Sequence, residues 1–418
     1  MTSLARVLLE NHSGHREQFG PASERFAERR IGIIWALLFF DAIPAVRVST
    51  IVEIPPVVAR LAGITALLLA ALLAVTLNRR FQFKPNLVLG LLTVLAIIAV
   101  ASSARGTAGV GALFRCGRYA LFLTVLWLLT PWWHRRDLLV AKCHIWVLAG
   151  VSGTVVAGLV IAPSVALAGS DGRLVGALWP IPAPQVAQYA AVLAGITFLL
   201  WLTRRITGGL TVLFAGGGTV LLLLTQTRTA FVGLVAGLFF ATASLLLSRR
   251  RARRFVLISV LLVPLALVTL APALSTWYQR NQSSEQLASL TGRTYVWERL
   301  REEPRSEFVQ WFGIGLSDKS FGGHAIDNAW LAVYHEEGLV GVALVAAILL
   351  SVLLTALLHP SVPERAIALF LVVFALVSSY TEIGLGDVSP FLLHIAVAAS
   401  LLAPTASARR RAAEVPVR

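Results

Sequence analysis

The chain has 418 residues, of which 57% are hydrophobic and only 14% charged, and its mean hydropathy is +0.78. Soluble domains carry roughly 25% charged residues, so this composition excludes a water-soluble globule and makes the bilayer the solvent. A net charge of +15 would suggest nucleic acid in a soluble protein; in a membrane protein, Lys and Arg collected on cytoplasmic loops explain it, and no nucleic-acid partner is expected.

In chain order, a polar N-terminal segment over 1–30 has no apolar run at its start and is not read as a cleavable signal peptide. Apolar runs follow at 31–46, 57–77, 86–104, 110–131, 138–162, 185–202, 206–224, 229–248, 254–274, 339–358, 365–383 and 389–404. Each is near the ~20 residues that span a hydrocarbon core, which predicts an all-α integral membrane protein of about twelve transmembrane helices. Nine of them fall within 31–274 and three within 339–404, with a basic tail over 405–418. With the N-terminus in the cytoplasm, basic residues mark every inner loop, including Arg79, Arg80, Arg135, Arg136, Arg204, Arg205 and the Arg249–Arg254 cluster, and both termini lie inside. Cys116 and Cys143 fall toward opposite faces, so no disulfide and no metal site is expected.

Two stretches are left on the outer side. Residues 163–184 form a loop broken by Pro163, Pro180, Pro182 and Pro184. Residues 275–338 form the large extracytoplasmic loop, with a helical piece over Tyr295 to Glu303 and Gly-rich turns at Gly313–Gly315 and Gly322–Gly323.

The informative charges are the few outside the positive-inside pattern. They are Arg173 in the first outer loop, Arg228 at the outer mouth between two helices, and Arg293 in the large loop. A membrane-edge Arg is costly unless paired, solvated or binding an anion, and a guanidinium matches phosphate oxygens in bidentate geometry. As a set, the three read as a cradle for a lipid phosphate or pyrophosphate; singly, each reads as well as a loop ion pair or a snorkelling side chain. His324 and Asp327 stand three apart and would share a face if that piece were helical. Either could take a proton from a sugar hydroxyl, and Asp327 could equally cap the helix that follows. Arg115 and Arg118 mark either an internal polar site or the membrane boundary. Asp41 and Arg60 are further intramembrane candidates and could pair with each other. No Asp-x-Asp pair or phosphate-binding Gly loop is present, so neither ATP use nor metal-dependent nucleotide-sugar transfer is supported.

Four short motifs around the large outer loop carry a resemblance. They are Arg173-Leu174-Val175-Gly176; Thr227-Arg228-Thr229-Ala230; Gly292-Arg293 with Trp297 and then Phe312-Gly313-Ile314-Gly315; and Asp327-Asn328-x-x-Leu331 followed by Glu337-Gly338-Leu339-Val340-Gly341. In this order they resemble the O-antigen ligase and O-antigen polymerase superfamily of bacterial membrane glycosyltransferases. The resemblance implies a GT-C-like helical fold in the bacterial cytoplasmic membrane. It implies a polyprenyl-pyrophosphate-linked oligosaccharide donor, a glycan, lipid or protein acceptor, and metal-independent, inverting transfer with no cofactor. It assigns Arg173, Arg228, Arg293, Trp297 and Asn328 to donor or glycan binding, and His324 or Asp327 to catalysis. The chain departs from the ligase pattern in having Asp327, not His, directly before Asn328; this form is more similar to the exopolysaccharide polymerases and leaves the general base open. A rival class is a flippase of lipid-linked sugars, which the helix number fits equally but which the lack of an internal repeat and the one-sided loop disfavour.

Overall fold

The computed structural model describes residues 21–105, 109–133, 138–169, 172–279, 292–360 and 362–403. Residues 1–20, Arg135, Arg136, 280–291 of the large loop and the basic tail lie outside the described residues.

A helix overlaps each of the apolar runs, over part or all of its length. They are α1 (Pro21–Ala42), α2 (Pro56–Leu77), α3 (Leu87–Arg105), α4 (Gly109–Leu129), α5 (Leu139–Ile161), α6 (Ala183–Leu202), α7 (Gly208–Leu224), α8 (Arg228–Leu245) and α9 (Arg250–Thr269), which continues into α10 (Ala271–Gln279). Two short helices, α11 (Arg293–Glu302) and α12 (Glu307–Phe312), and a hairpin of β1 (Ser320–Phe321) and β2 (His324–Ala325) lead to α13 (Ala329–Leu358), α14 (Val362–Ser378) and α15 (Pro390–Leu401). Eight of the described helices are long and apolar enough to cross a membrane, and α7 and α15 are shorter apolar helices. The protein is therefore an all-α integral membrane protein. Backbone groups in lipid must be satisfied within the segment, which the helix does and an open strand does not.

The bundle is organised around α6, which is buried on nearly every side, and α14, which packs along α8 in the most extensive helix contact. Small residues permit the close approach. A Cβ at Gly195 of α6 would lie 2.0 Å from the Phe370 ring of α14, and one at Gly237 of α8 would lie 2.7 Å from the same ring.

Three sequence expectations are revised. Asp41 does not pair with Arg60, which is exposed; its partner is Arg118 at 2.9 Å, and the Arg118 guanidinium also donates to the Asp41 carbonyl. Distance along the sequence does not see α4 packed beside α1 and α2, and that packing decides the pair. Next, α13 begins at Ala329, ten residues before the apolar run expected at 339. The acidic pair Glu336 and Glu337 reads as loop in sequence, but both side chains are buried within the helix. Finally, α14 ends at Ser378, and residues 379–389 form a mostly buried connection, so Glu382 lies outside the apolar helix to which its position had assigned it.

Candidate active site

The segment after α14 is the hub that gathers the outer motifs. Asn328 caps α13, its side-chain oxygen accepting from the Leu331 N–H at 3.0 Å while its amide nitrogen donates to the Tyr380 carbonyl at 3.0 Å. The cap is thus Asn328 and not Asp327; such a cap stabilises a helix by about 1 kcal/mol. The Ala329 N–H donates to the Ser379 carbonyl at 2.9 Å, and the Trp330 indole donates to the Ser379 hydroxyl at 3.0 Å. Trp297 of α11 is buried edge-on against Tyr380, ring centroids 5.4 Å apart, and its indole N–H donates to the Ile326 carbonyl at 2.6 Å. Trp297 and Asn328 therefore clamp the chain on both sides of Asp327.

The arginines reach the same hub from three directions. Arg173 donates from Nε to the Thr225 carbonyl and from Nη2 to the Thr227 hydroxyl, both at 2.9 Å. This ties the first outer loop to the turn that opens α8 at Arg228. Arg228 itself donates to the Gln279 carbonyl at the end of α10, at 3.3 Å. Thr229, one residue on, shares a 2.5 Å hydroxyl contact with Thr381, which brings the Arg228 turn against the 379–389 segment. Arg293, at the start of α11, pairs with Asp327 at 3.2 Å. Asp327 adopts a left-handed backbone, φ 42°, a conformation that costs a non-glycine residue energy and is retained at functional sites where the surroundings over-determine it.

At the centre of this group is a residue that sequence reasoning did not single out. The Glu382 carboxyl is half-buried, and burial together with Asp327 raises it, while Arg293 and Arg173 pull it down; the net result is a carboxyl pushed up to about 7. The signal was present in the sequence: an acidic residue at the far end of an apolar run whose one other charge is Arg365, at its start, is expensive unless it is used.

His324 stands apart. It lies in β2, exposed, paired across the hairpin with Phe321, so it and Asp327 do not share a helical face. Arg115 and Arg118 also separate. Arg118 is engaged by Asp41, whereas Arg115 faces Asp318, whose carboxyl is held below its ordinary value chiefly by the Ser320 hydroxyl and in part by Arg115.

A second polar layer supports the hub. Gly338 breaks α13 with φ 67°, and a Cβ there would lie 2.3 Å from the Trp311 carbonyl carbon; Gly313, φ 75°, packs as closely against Glu336. The break frees the carbonyls of His335 and Glu336, which accept from the N–H groups of Ile314 and Gly315 at 3.0 and 2.9 Å. This explains why the Gly313–Gly315 turn and the Glu337-Gly338 step occur together. Lys319 pairs with Asp387; burial alone would lower its ammonium, but Asp387 and Glu336 outweigh burial and hold it above its ordinary value.

Among the described residues no group of three or more His, Cys, Asp or Glu side chains is placed to hold a metal ion. The chemistry this geometry offers is anion binding by guanidiniums beside a carboxyl that titrates near neutrality.

Residues 210–346 match the family model described as O-antigen ligase. The match spans Arg228, Arg293, Trp297, His324, Asp327 and Asn328, and leaves Arg173 and Glu382 outside it. No curated protein matches the chain. Over this third of the chain the sequence is similar to the O-antigen ligase family, and three of the four outer motifs that carry the resemblance fall within it.

Proposed function

From this similarity to the O-antigen ligases in a helical membrane protein, we propose that the chain is a glycosyltransferase of the bacterial cytoplasmic membrane, a ligase or polymerase of surface polysaccharide. It transfers a glycan from a polyprenyl-pyrophosphate donor to an acceptor hydroxyl, with inversion and without a metal. The observation that carries this reading is the convergence of Arg173, Arg293 and Asp327 on Glu382, beside the Arg228 turn.

Each group has a task in such a reaction. Arg173, Arg228 and Arg293 bind the pyrophosphate and neutralise the charge that grows as it leaves. Glu382, half-charged at neutral pH, suits the general base better than Asp327, whose carboxylate is committed to Arg293. The acceptor O–H gives its proton to Glu382. Its oxygen bonds to the anomeric carbon from the face opposite the pyrophosphate. The carbon–oxygen bond to pyrophosphate breaks, and the polyprenyl pyrophosphate departs with the electron pair. Asp327 orients Arg293, Trp297 and Asn328 hold the chain around it, and His324 at the hairpin tip meets the acceptor glycan.

Preorganised charge of this kind contributes about 100- to 1,000-fold per donor removed. Arg228→Ala and Arg293→Ala, purified in detergent and shown to be monodisperse, are expected to lose transfer by at least about 100-fold, with EDTA without effect on the wild type. Full transfer by both variants would defeat the reading.

A further inference from the structure

Arg305 lies in the large outer loop, between α11 and α12, and its side chain is only 5% exposed. Its guanidinium carbon sits 4.6 Å from the ring centroid of Tyr334 in α13, and its Nη2 lies 3.2 Å from Nδ1 of the neighbouring His335. A buried guanidinium ordinarily meets a carboxylate through short, parallel hydrogen bonds. Arg305 does not. Its carboxylate neighbour is Glu303, on the far side of Pro304, held by a single contact of 3.4 Å from the same Nη2. That is near the outer limit of a hydrogen bond, and the Glu303 side chain is 43% exposed. Nε and Nη1 of Arg305 are buried and donate to no described group, which costs stability unless an acceptor arrives from outside the chain.

His335 adds a further donor. A guanidinium can only donate, so Nδ1 of His335 accepts from Arg305 and the neutral ring carries its proton on Nε2. That N–H makes no hydrogen bond with the described residues. Asp318, whose charge also reaches His335, is engaged by the Ser320 hydroxyl. The Phe321 ring of the hairpin stands edge-on to His335, centroids 5.7 Å apart, and Phe321 and Tyr334 are both half-buried. A few polar groups set among aromatic faces are the make-up of a small-ligand site, and such faces suit the apolar side of a sugar ring.

The place of this cluster says which part of a substrate it meets. His335 follows Asn328 by seven residues, two turns of α13 and about 10 Å of helical rise from the chain around Asp327. A group bound here therefore belongs to the glycan and not to the pyrophosphate at Arg293. Glu303 shows its chemistry, because the charge that Arg305 already accepts loosely from its own chain is a carboxylate.

We propose that Arg305 and His335 bind the carboxylate of a uronic-acid residue in the glycan, displacing Glu303, which stands in for it in the free protein. The proposal rests on the reading of the chain as a glycan-assembly enzyme and names the class of glycan, an acidic one.

The test is a binding measurement on the full chain in non-ionic detergent. The probes are a short uronic-acid oligosaccharide and the same oligosaccharide with its carboxyls reduced to alcohols. Wild type is expected to bind the acidic probe at least about tenfold more tightly, the worth of one charge-assisted pair. Arg305→Gln should lose that preference, and Arg305→Lys, which keeps the charge but not the planar fork, should keep part of it. Glu303→Gln should bind the acidic probe more tightly than wild type, because the competitor is gone; a purely structural ion pair gives no such gain, and this variant decides the matter if Arg305→Gln does not fold. Arg301→Gln, at an exposed arginine of α11, binds as wild type. Equal binding of the two probes by wild type, binding of neither, an acidic preference kept in Arg305→Gln, or no gain in Glu303→Gln overturns the proposal. Transfer from polyprenyl-pyrophosphate donors carrying acidic and neutral glycans is measured on the same samples. Transfer without an acidic preference in binding sinks this inference alone, whereas Arg305-dependent binding of the acidic probe without transfer of either glycan sinks the transferase reading alone.

Discussion

Glu382 is where single residues decide the chemistry, because its carboxyl is balanced between burial, which favours the neutral form, and two guanidiniums, which favour the charged one. A base must be charged to accept a proton, so transfer is expected to rise with pH through about 7. Glu382→Gln should remove that limb with the transfer itself; an unchanged pH–rate profile in Glu382→Gln would exclude the role. The sign for stability is opposite. A carboxyl raised in the fold contributes stability below its ordinary value, and that contribution is lost as pH rises through about 7. Glu382→Gln is thus expected to unfold at the same or a higher temperature than wild type at pH 8, inactive but not destabilised. Of the site, the three arginines were legible because they break the positive-inside pattern, and Asp327 and Asn328 because they precede a helix. Glu382 was not, because an apolar run drawn to residue 383 absorbed it, and only the end of α14 at Ser378 releases it.

Helix α13 shows what holds these residues in place at the scale of an element. Its first turn is capped by Asn328, and its break at Gly338 is closed by the Gly313–Gly315 turn. A side chain at Gly338 meets backbone at 2.3 Å in a left-handed conformation, so nothing flexible can yield. Gly338→Ala is expected to destabilise by more than about 1–3 kcal/mol, the cost of the backbone strain alone, read as a lower unfolding temperature in detergent. Asn328→Ala should cost about 1 kcal/mol for the cap, and more for the Tyr380 carbonyl it leaves unmet. The apolar periods in the sequence marked the core of α13 but missed its first ten residues. Glu336 and Glu337 carry the formal polarity of a loop, and what buries them is decided elsewhere in the chain: Glu336 accepts from the Ser317 N–H at 2.7 Å, whereas neither Glu337 carboxyl oxygen has a hydrogen-bond partner among the described residues.

For the whole molecule, the helical membrane class was legible, since length and hydropathy alone mark a helix in lipid; of the twelve runs expected to span, eight described helices are long and apolar enough to do so. The pairing of Asp41 with Arg118 was not, since it depends on which helices are neighbours. The orientation proposed here places residue 306 outside and residue 207 inside. A membrane-impermeant maleimide applied to intact cells is expected to label Ser306→Cys, on the exposed chain before α12, and to spare Thr207→Cys, between α6 and α7; the reverse pattern would invert the topology. The most direct test of the central claim is a reconstitution of the purified chain with a short glycan on polyprenyl pyrophosphate in the presence of EDTA. Release of polyprenyl pyrophosphate coupled to a new glycosidic bond is the predicted result, on a growing glycan for a polymerase or on an added acceptor for a ligase. No release with any such donor, together with movement of the lipid-linked glycan between leaflets in proteoliposomes, would contradict it.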